Sequence, residues 1–355
     1  MKVYAGCLLI SEIFTLWSIK TFRNYRNDRA NYFFAVLSVV PFILVSGLQY
    51  RVGADYLIYN NAFYYIKDTG YYNLFEPGYN LLNKIVGIFS DSSVALFMVC
   101  AIFFCGFSFI SIHKLSCNIY ASIFIWVLSQ CFFESMNTVR QSLSVSIVFI
   151  SFIFILKKKM VPYILCILFA TSMHYSAIIM LPVYFIDKMK LNWKKQVMFS
   201  GAILLIAFFA RDIITEIPLF ERYVSLYVRS NRNFVDFTLT DCIIALSGWL
   251  TGAYYYSRIS EENRASFHLF YNLQWMYVLS TVISAFVPLA YRITMYFMYS
   301  CVFLYPIILK SEKRKYNRIV AGTVLYGLFI AKLIIYAYFI GNRDYVEYQS
   351  VISLY

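Results

Sequence analysis

Charge is scarce in this chain of 355 residues: Asp, Glu, Lys and Arg make up 14%, against 61% apolar residues. A soluble protein needs about a quarter of its residues charged to clothe its surface, so a water-soluble globule is excluded. Histidine is scarcer still, with three residues, and none of the eight cysteines forms a CxxC. No zinc-ligand cluster follows from that inventory. The cysteines, at 7, 100, 105, 117, 131, 166, 242 and 301, read as unpaired thiols in or beside apolar segments. The period-two alternation of a membrane β-barrel is missing. So are HExxH, G-x-x-x-x-G-K-[ST], GxSxG and a GxGxxG in βαβ context. A paired-carboxylate signature of metal-dependent nucleotide-sugar enzymes is also lacking, as is any tandem repeat.

What is present is apolar length. Stretches near 18 to 20 residues recur from end to end, which matches a hydrocarbon core of about 30 Å at about 1.5 Å per helical residue. Segments are placed at 3-19, 31-48, 93-112, 119-134, 141-156, 161-173, 175-186, 196-211, 237-257, 268-287, 291-309 and 319-340. The predicted fold is all-α, a single membrane domain over 1-355 with about eleven or twelve transmembrane helices, including one broken pair. The first segment carries Glu12 and is followed by basic residues instead of a small-residue cleavage site, so it reads as a retained helix.

The charges sit between the segments. One set of connections holds Lys20, Arg23, Arg26, Arg29, Lys114, Lys157, Lys158, Lys159, Lys188, Lys190, Lys194, Lys195, Arg258, Arg264, Lys310, Lys313, Arg314, Lys315 and Arg318. These are 19 of the 31 basic residues. The positive-inside bias puts them in the cytoplasm and both chain ends outside. The net charge of +13 therefore marks orientation and requires no nucleic-acid partner. Glu12 and Lys332 remain within the membrane, and whether they pair is open. Residues 160-187, between two basic runs, fit two short helices of about twelve residues broken around Ser172-Met173-His174-Tyr175-Ser176. Two outer loops follow, at 49-92 and 212-236. The first is rich in aromatics and contains a short apolar segment, 79-89, expected to lie along or dip into the outer leaflet.

Four placements at or beside the ends of the apolar segments carry possible chemistry. Arg51 and Asp55 flank Gly53; on a helix their spacing lets them pair, and a surface ion pair is the alternative to a site. Arg140 follows Asn137-Thr138-Val139 and precedes Gln141 and Ser142. That density of hydrogen-bonding groups at a helix start reads either as a cap or as a phosphate site, where free N–H groups join a bidentate guanidinium. His174, in the helix break, reads as a structural hydrogen-bonding residue or as a base or charged donor. Arg292 lies between the tenth and eleventh segments. By topology all four positions face one outer cavity, which would suit an anionic ligand, above all a diphosphate.

The chain resembles the EpsG-like branch of the Wzy-type bacterial polysaccharide polymerases. The resemblance rests on Arg51-Val-Gly-Ala-Asp55-Tyr56-x-x-Tyr59, Glu76-Pro77-Gly78-Tyr79, Asn137-x-x-Arg140-Gln141, His174-Tyr175-Ser176-Ala177 with Pro182, and Arg292-x-x-x-Tyr296-Phe297. It implies a glycosyltransferase at the outer face of the bacterial inner membrane. Such an enzyme moves a growing polysaccharide from its lipid diphosphate onto the next undecaprenyl-diphosphate-linked oligosaccharide, for O-antigen or capsule. It implies His174, Asp55 and Arg140 as catalytic residues, Arg140, Arg292 and Arg51 as diphosphate ligands, and Tyr56, Tyr59, Glu76, Gln141 and Tyr296 as sugar or lipid contacts. No metal or other cofactor is called for; membrane lipid and a chain-length regulator are the further partners. A ligase for finished polymer, or a flippase or exporter of lipid-linked sugars, are the rival readings.

Overall fold

The computed structural model describes residues 1-25, 28-189, 191-216, 239-287, 290-336, 338 and 347-354, apart from the side chains of 22-25, 28-29 and 211-216. The second expected loop therefore lies outside the described residues from 217 onward, with Arg222, Tyr223, Tyr227 and Arg229. Pro288 and residues 339-346 lie outside them too.

The chain is all-α. Helices run in the order α1 (Lys2–Tyr25), α2 (Asp28–Gly47), α3 (Tyr56–Thr69), α4 (Pro77–Phe89), α5 (Ser93–Leu115), α6 (Ile119–Leu128), α7 (Cys131–Asn137), α8 (Val139–Leu156) and α9 (Met160–Met173). A 3-10 turn at Tyr175–Met180 leads to α10 (Val183–Lys188), α11 (Trp193–Glu216), α12 (Leu239–Tyr255), α13 (Glu261–Ile283), α14 (Tyr291–Met298), α15 (Cys301–Ser311) and α16 (Lys315–Ile335). Among the described residues the β pairing amounts to one isolated bridge, Gln49 with Ser350.

Among the described residues seven spans are long and apolar enough to cross a membrane, and α6 with α7, bent by 45°, makes an eighth. The protein is thus a multi-pass membrane protein, with fewer full-length spans than the sequence predicts. The physical reason is length. Helix α9 has 14 residues, about 21 Å at 1.5 Å each, and α12 has 17. Helix α13 spends its first turn on Glu261, Glu262 and Arg264.

The predicted break in 160-187 falls at His174, whose extended backbone (φ −155°, ψ 119°) ends α9. A second twelve-residue helix does not follow. The chain winds as a 3-10 turn, and Pro182, which has no N–H to give a helix interior, precedes the short α10. Segment 49-92 is more ordered than a loop. Helix α4 leaves Leu81, Ile85, Ile88 and Phe89 exposed, the apolar face expected of a leaflet-bound segment. Helix α3 had no strong sequence signal; it buries Tyr56, Tyr59, Phe63 and Ile66 at helical spacing and ends on left-handed Gly70.

Two compact units divide the chain, Met1–Ile178 with Phe329–Tyr355, and Ile179–Leu328. In the first, α1 packs along α2 on Ser11, Thr15 and Ser18, small residues at i, i+4 and i+7 that let the backbones approach. Its centre is Trp126, fully buried among Phe42, Phe104, Phe109 and Phe132 with ring centroids 5.2 to 5.6 Å away. In the second unit α12 meets α13 and α15 through Gly248-x-x-x-Gly252. A Cβ on Gly252 would stand 2.5 Å from the Tyr271 ring, and one on Gly248 2.5 Å from the Gln274 amide nitrogen, so glycine sets both approaches. Across α11, α12 and α13, Gln196 donates to Asn272 (3.0 Å) and accepts from the Trp249 indole (2.7 Å).

Candidate anion site on the first unit

The site starts from three consecutive residues. Glu76 is extended (φ −66°, ψ 153°) and caps α4; Pro77 opens the helix, where its missing N–H costs nothing. Gly78 lies against the end of α9, and a Cβ there would come within 2.8 Å of the Ser172 carbonyl oxygen. Glu-Pro-Gly therefore starts a helix and lets it press on the chain just before His174. Buried Asn80 closes the turn beneath. Its amide donates to the carbonyls of Tyr72 (3.0 Å) and Phe75 (2.8 Å), and its oxygen accepts from Tyr72 N–H (2.8 Å).

Arg140 stands in the first turn of α8, at the positive end of the helix dipole. Its Nη1 donates to the Leu74 carbonyl (3.2 Å) and pairs with Glu76 Oε2, and its guanidinium lies 4.4 Å from the Phe75 ring centroid. The pair is nearly dry, with Arg140 14% and Glu76 2% exposed in their side chains. Such a pair is held by geometry more than by net energy, because desolvation offsets much of the attraction. The other carboxylate oxygen of Glu76 accepts Tyr175 N–H at 3.4 Å. One carboxylate thus ties the guanidinium to the residue after His174. Burial pushes the Tyr59 phenol above its usual pKa, while Arg140, hydrogen-bonded to it, pulls the other way.

His174 is buried, and its Nδ1 lies 2.7 Å from the Ser176 hydroxyl and accepts Ser176 N–H at 3.3 Å. A backbone N–H can only donate, so Nδ1 is the acceptor and a neutral ring carries its proton on Nε2. Asp55 does not use the helical spacing to Arg51, because residues 51-55 form a turn with Arg51 at φ 52° and Gly53 at φ 84°. Its backbone N–H donates to Asn137 Oδ1 (3.2 Å), and Gly53 lies against Met136 and Asn137, where a Cβ would stand 3.0 Å from backbone atoms. Asp55 thereby touches Asn137, three residues before Arg140, whereas Arg51 is exposed beside the Tyr50 ring.

Tyr56 and Tyr59, expected to stack on sugar, are 5% and 4% exposed. Tyr56 stacks on Phe97 at 5.0 Å, and Tyr59 packs among Phe75 and Tyr79. Their faces serve packing; Tyr64, Tyr65, Tyr71 and Phe89 are the exposed aromatics of this segment. Gln141 is buried in α8. In the second unit, Arg292 Nε donates to Tyr291 Oη (3.5 Å) and Tyr296 is fully buried. Among the described residues no three His, Cys, Asp or Glu side chains gather as a metal site would require.

Sequence reasoning missed Asn80 and Glu134. Asn80 gave no signal beyond its place after Glu-Pro-Gly-Tyr, and Glu134 sat inside an apolar segment. The charges within the membrane also sort differently from the expected question: Lys332 acts electrostatically on Glu134, while Glu12 acts on Tyr120.

A model of the EpsG family matches residues 8-350, nearly the whole chain. The chain belongs to the EpsG family. No curated protein and no solved structure is matched. EpsG membership and the helical membrane fold fit a polysaccharide polymerase of glycosyltransferase type. In this EpsG chain the matched region holds every residue of the site just described.

Proposed function

We propose that this protein polymerises undecaprenyl-diphosphate-linked oligosaccharide repeat units at the outer face of the bacterial inner membrane, with Arg140 as a principal diphosphate ligand. The observation that carries the reading is a nearly buried arginine, fixed by Glu76 at a helix start beside the His174 break. A sugar linked through a diphosphate already has a good leaving group. The protein's task is to bind it and to stabilise the charge that grows as the anomeric bond breaks. A guanidinium held in advance needs no reorganisation at that moment, and the dipole of α8 adds to its field. The acceptor hydroxyl loses its proton as the glycosidic bond forms, and His174 or Asp55 takes it or orients the hydroxyl. In this reading His174 must switch tautomer or act through Ser176, because Nδ1 is occupied. Arg51 and Arg292 are further phosphate contacts to be tested one at a time. O-antigen and capsule repeats both fit the reading, as does a chain-length regulator acting on the same protein.

The test uses purified full-length protein in lipid with a defined lipid-linked repeat unit. Wild type is expected to release lipid diphosphate and form glycosidic bonds, giving a ladder of polymers, while Arg140→Lys leaves single repeats. If active lipid vesicles yield no bond while repeats cross the bilayer, the reading is wrong and transport replaces it.

A further inference from the structure

A second, partly buried polar cluster lies next to the anion site and has no part in the mechanism above. Glu134 is the one charged residue of α7, whose sequence is Cys-Phe-Phe-Glu-Ser-Met-Asn. Both its carboxylate oxygens accept hydroxyl groups: Oε1 from Tyr336 (3.0 Å) and Oε2 from Thr138 (3.4 Å). Lys332, 6% exposed on α16, is close enough for its charge to act on the Glu134 carboxylate, and so is Asp55. Tyr336 and Lys332 come from the part of the chain after Phe329, which belongs to the same compact unit as α7 and α8.

Thr138 explains what the cluster holds. It stands between α7 and α8 (φ −95°, ψ 57°), and its hydroxyl does not cap α8; it turns back to the carbonyl (3.2 Å) and carboxylate of Glu134. The next residue but one is Arg140. On the other side Asn137 is held by Asp55 N–H and by the close approach of Gly53. The three residues that aim Arg140 are therefore gripped from both sides, by 53-55 and, through Glu134, by Tyr336, with the charge of Lys332 nearby.

We infer that Glu134 is a positioning residue for Arg140, and that Lys332 and Tyr336 keep its carboxylate in the place where it fixes the 137-139 turn. The inference rests on the reading of Arg140 as a diphosphate ligand. Displacement of a preorganised donor by about 1 Å costs on the order of 10²-fold in rate while leaving most substrate contacts in place. The cluster thus acts on kcat more than on KM.

The experiment compares the full-length protein with Glu134→Gln, Tyr336→Phe, Lys332→Met and the double variant Glu134→Gln/Lys332→Met. Polymerisation kinetics and amide hydrogen exchange of the 137-142 segment are both read. Glutamine removes the charge that faces Lys332 and places an NH2 where one hydroxyl needs an acceptor. In Glu134→Gln, kcat is expected to fall about tenfold or more with KM within about twofold, and 137-142 to exchange faster. The double variant removes the stranded lysine charge and so recovers membrane abundance, but not kcat. A wild-type kcat in Glu134→Gln, or full recovery of kcat in the double variant, overturns the inference. Arg140→Lys is run alongside. If it polymerises normally, the diphosphate reading fails by itself; the hydrogen exchange still decides whether Glu134 holds the turn, and unchanged exchange sinks that claim.

Discussion

The two units bury polar side chains among apolar helices in different ways. In the second unit, Gln196, Asn272 and Trp249 are neutral, lie within helices and answer one another's donors and acceptors. In the first, Glu76, Arg140, Glu134 and Lys332 are charged, and three of the four lie where a helix starts, bends or breaks. Neutral groups that satisfy each other act as glue between helices and ask little of the backbone. Charges with low exposure are retained at a cost, and their place at chain discontinuities, where backbone groups are available for a ligand, is what a site needs. On the proposed reading the contrast sets preorganised charge in the first unit beside neutral helix packing in the second.

The largest effect is expected at Arg140. Arg140→Lys keeps a cation for Glu76 but loses the planar fork, so polymerisation should fall about 100-fold with membrane abundance near wild type. Arg140→Ala differs, because it strands the Glu76 carboxylate at 2% exposure and should also cost about 3 to 5 kcal/mol of stability. Combining it with Glu76→Ala should restore abundance and leave activity lost, as polymer ladders and thermal melts of detergent-purified protein would show. Equal abundance for Arg140→Ala and Arg140→Lys would erase the distinction drawn between the units.

Gly78→Ala comes next. The added carbon meets the Ser172 carbonyl and must push α4 off the end of α9, at about 1 to 3 kcal/mol, so the melt should drop and activity with it. A smaller effect belongs to the second unit. Gln196→Leu leaves the Trp249 indole N–H without its acceptor and the Asn272 amide oxygen without its donor, worth about 1 to 3 kcal/mol of stability, yet kcat should stay within about twofold. A large loss of kcat without a shift in melting would show that this network belongs to the chemistry. Arg51→Ala should be the mildest, within about 0.5 kcal/mol in stability since the side chain is exposed. Its effect on polymerisation measures whether a ligand reaches that turn.

Much of this was legible in the residues. Apolar length gave the all-α membrane fold, because backbone satisfaction inside lipid leaves helices few rivals. The break at His174 followed from two basic runs too close for a full crossing and return. Arg140 announced itself by the polar cluster around it. What stayed hidden depended on partners distant in sequence. Glu76 read as a sugar contact and proves to be the anchor of an arginine 64 positions away. Tyr56 and Tyr59 looked available because aromatic residues in a polar stretch resemble a binding surface; helix α3, which turns them inward, has little periodic contrast to betray it. Glu134 and Tyr336 meet only because the chain returns to its own first half, and no local pattern encodes that return.

That return has a consequence in time. Tyr50 N–H bonds the Gln349 carbonyl (2.9 Å), Val351 N–H bonds the Leu48 carbonyl (2.9 Å), and the Tyr348 hydroxyl reaches the Val45 carbonyl (2.9 Å). The stretch leading into the Arg51–Asp55 turn is thus fastened by residues synthesised some 300 positions later. During translation the early helices can enter the membrane and pair long before this clasp exists. A chain cut short before residue 348 lacks this clasp and is expected to insert its early spans yet lose polymerisation, as membrane fractionation beside an activity assay would show.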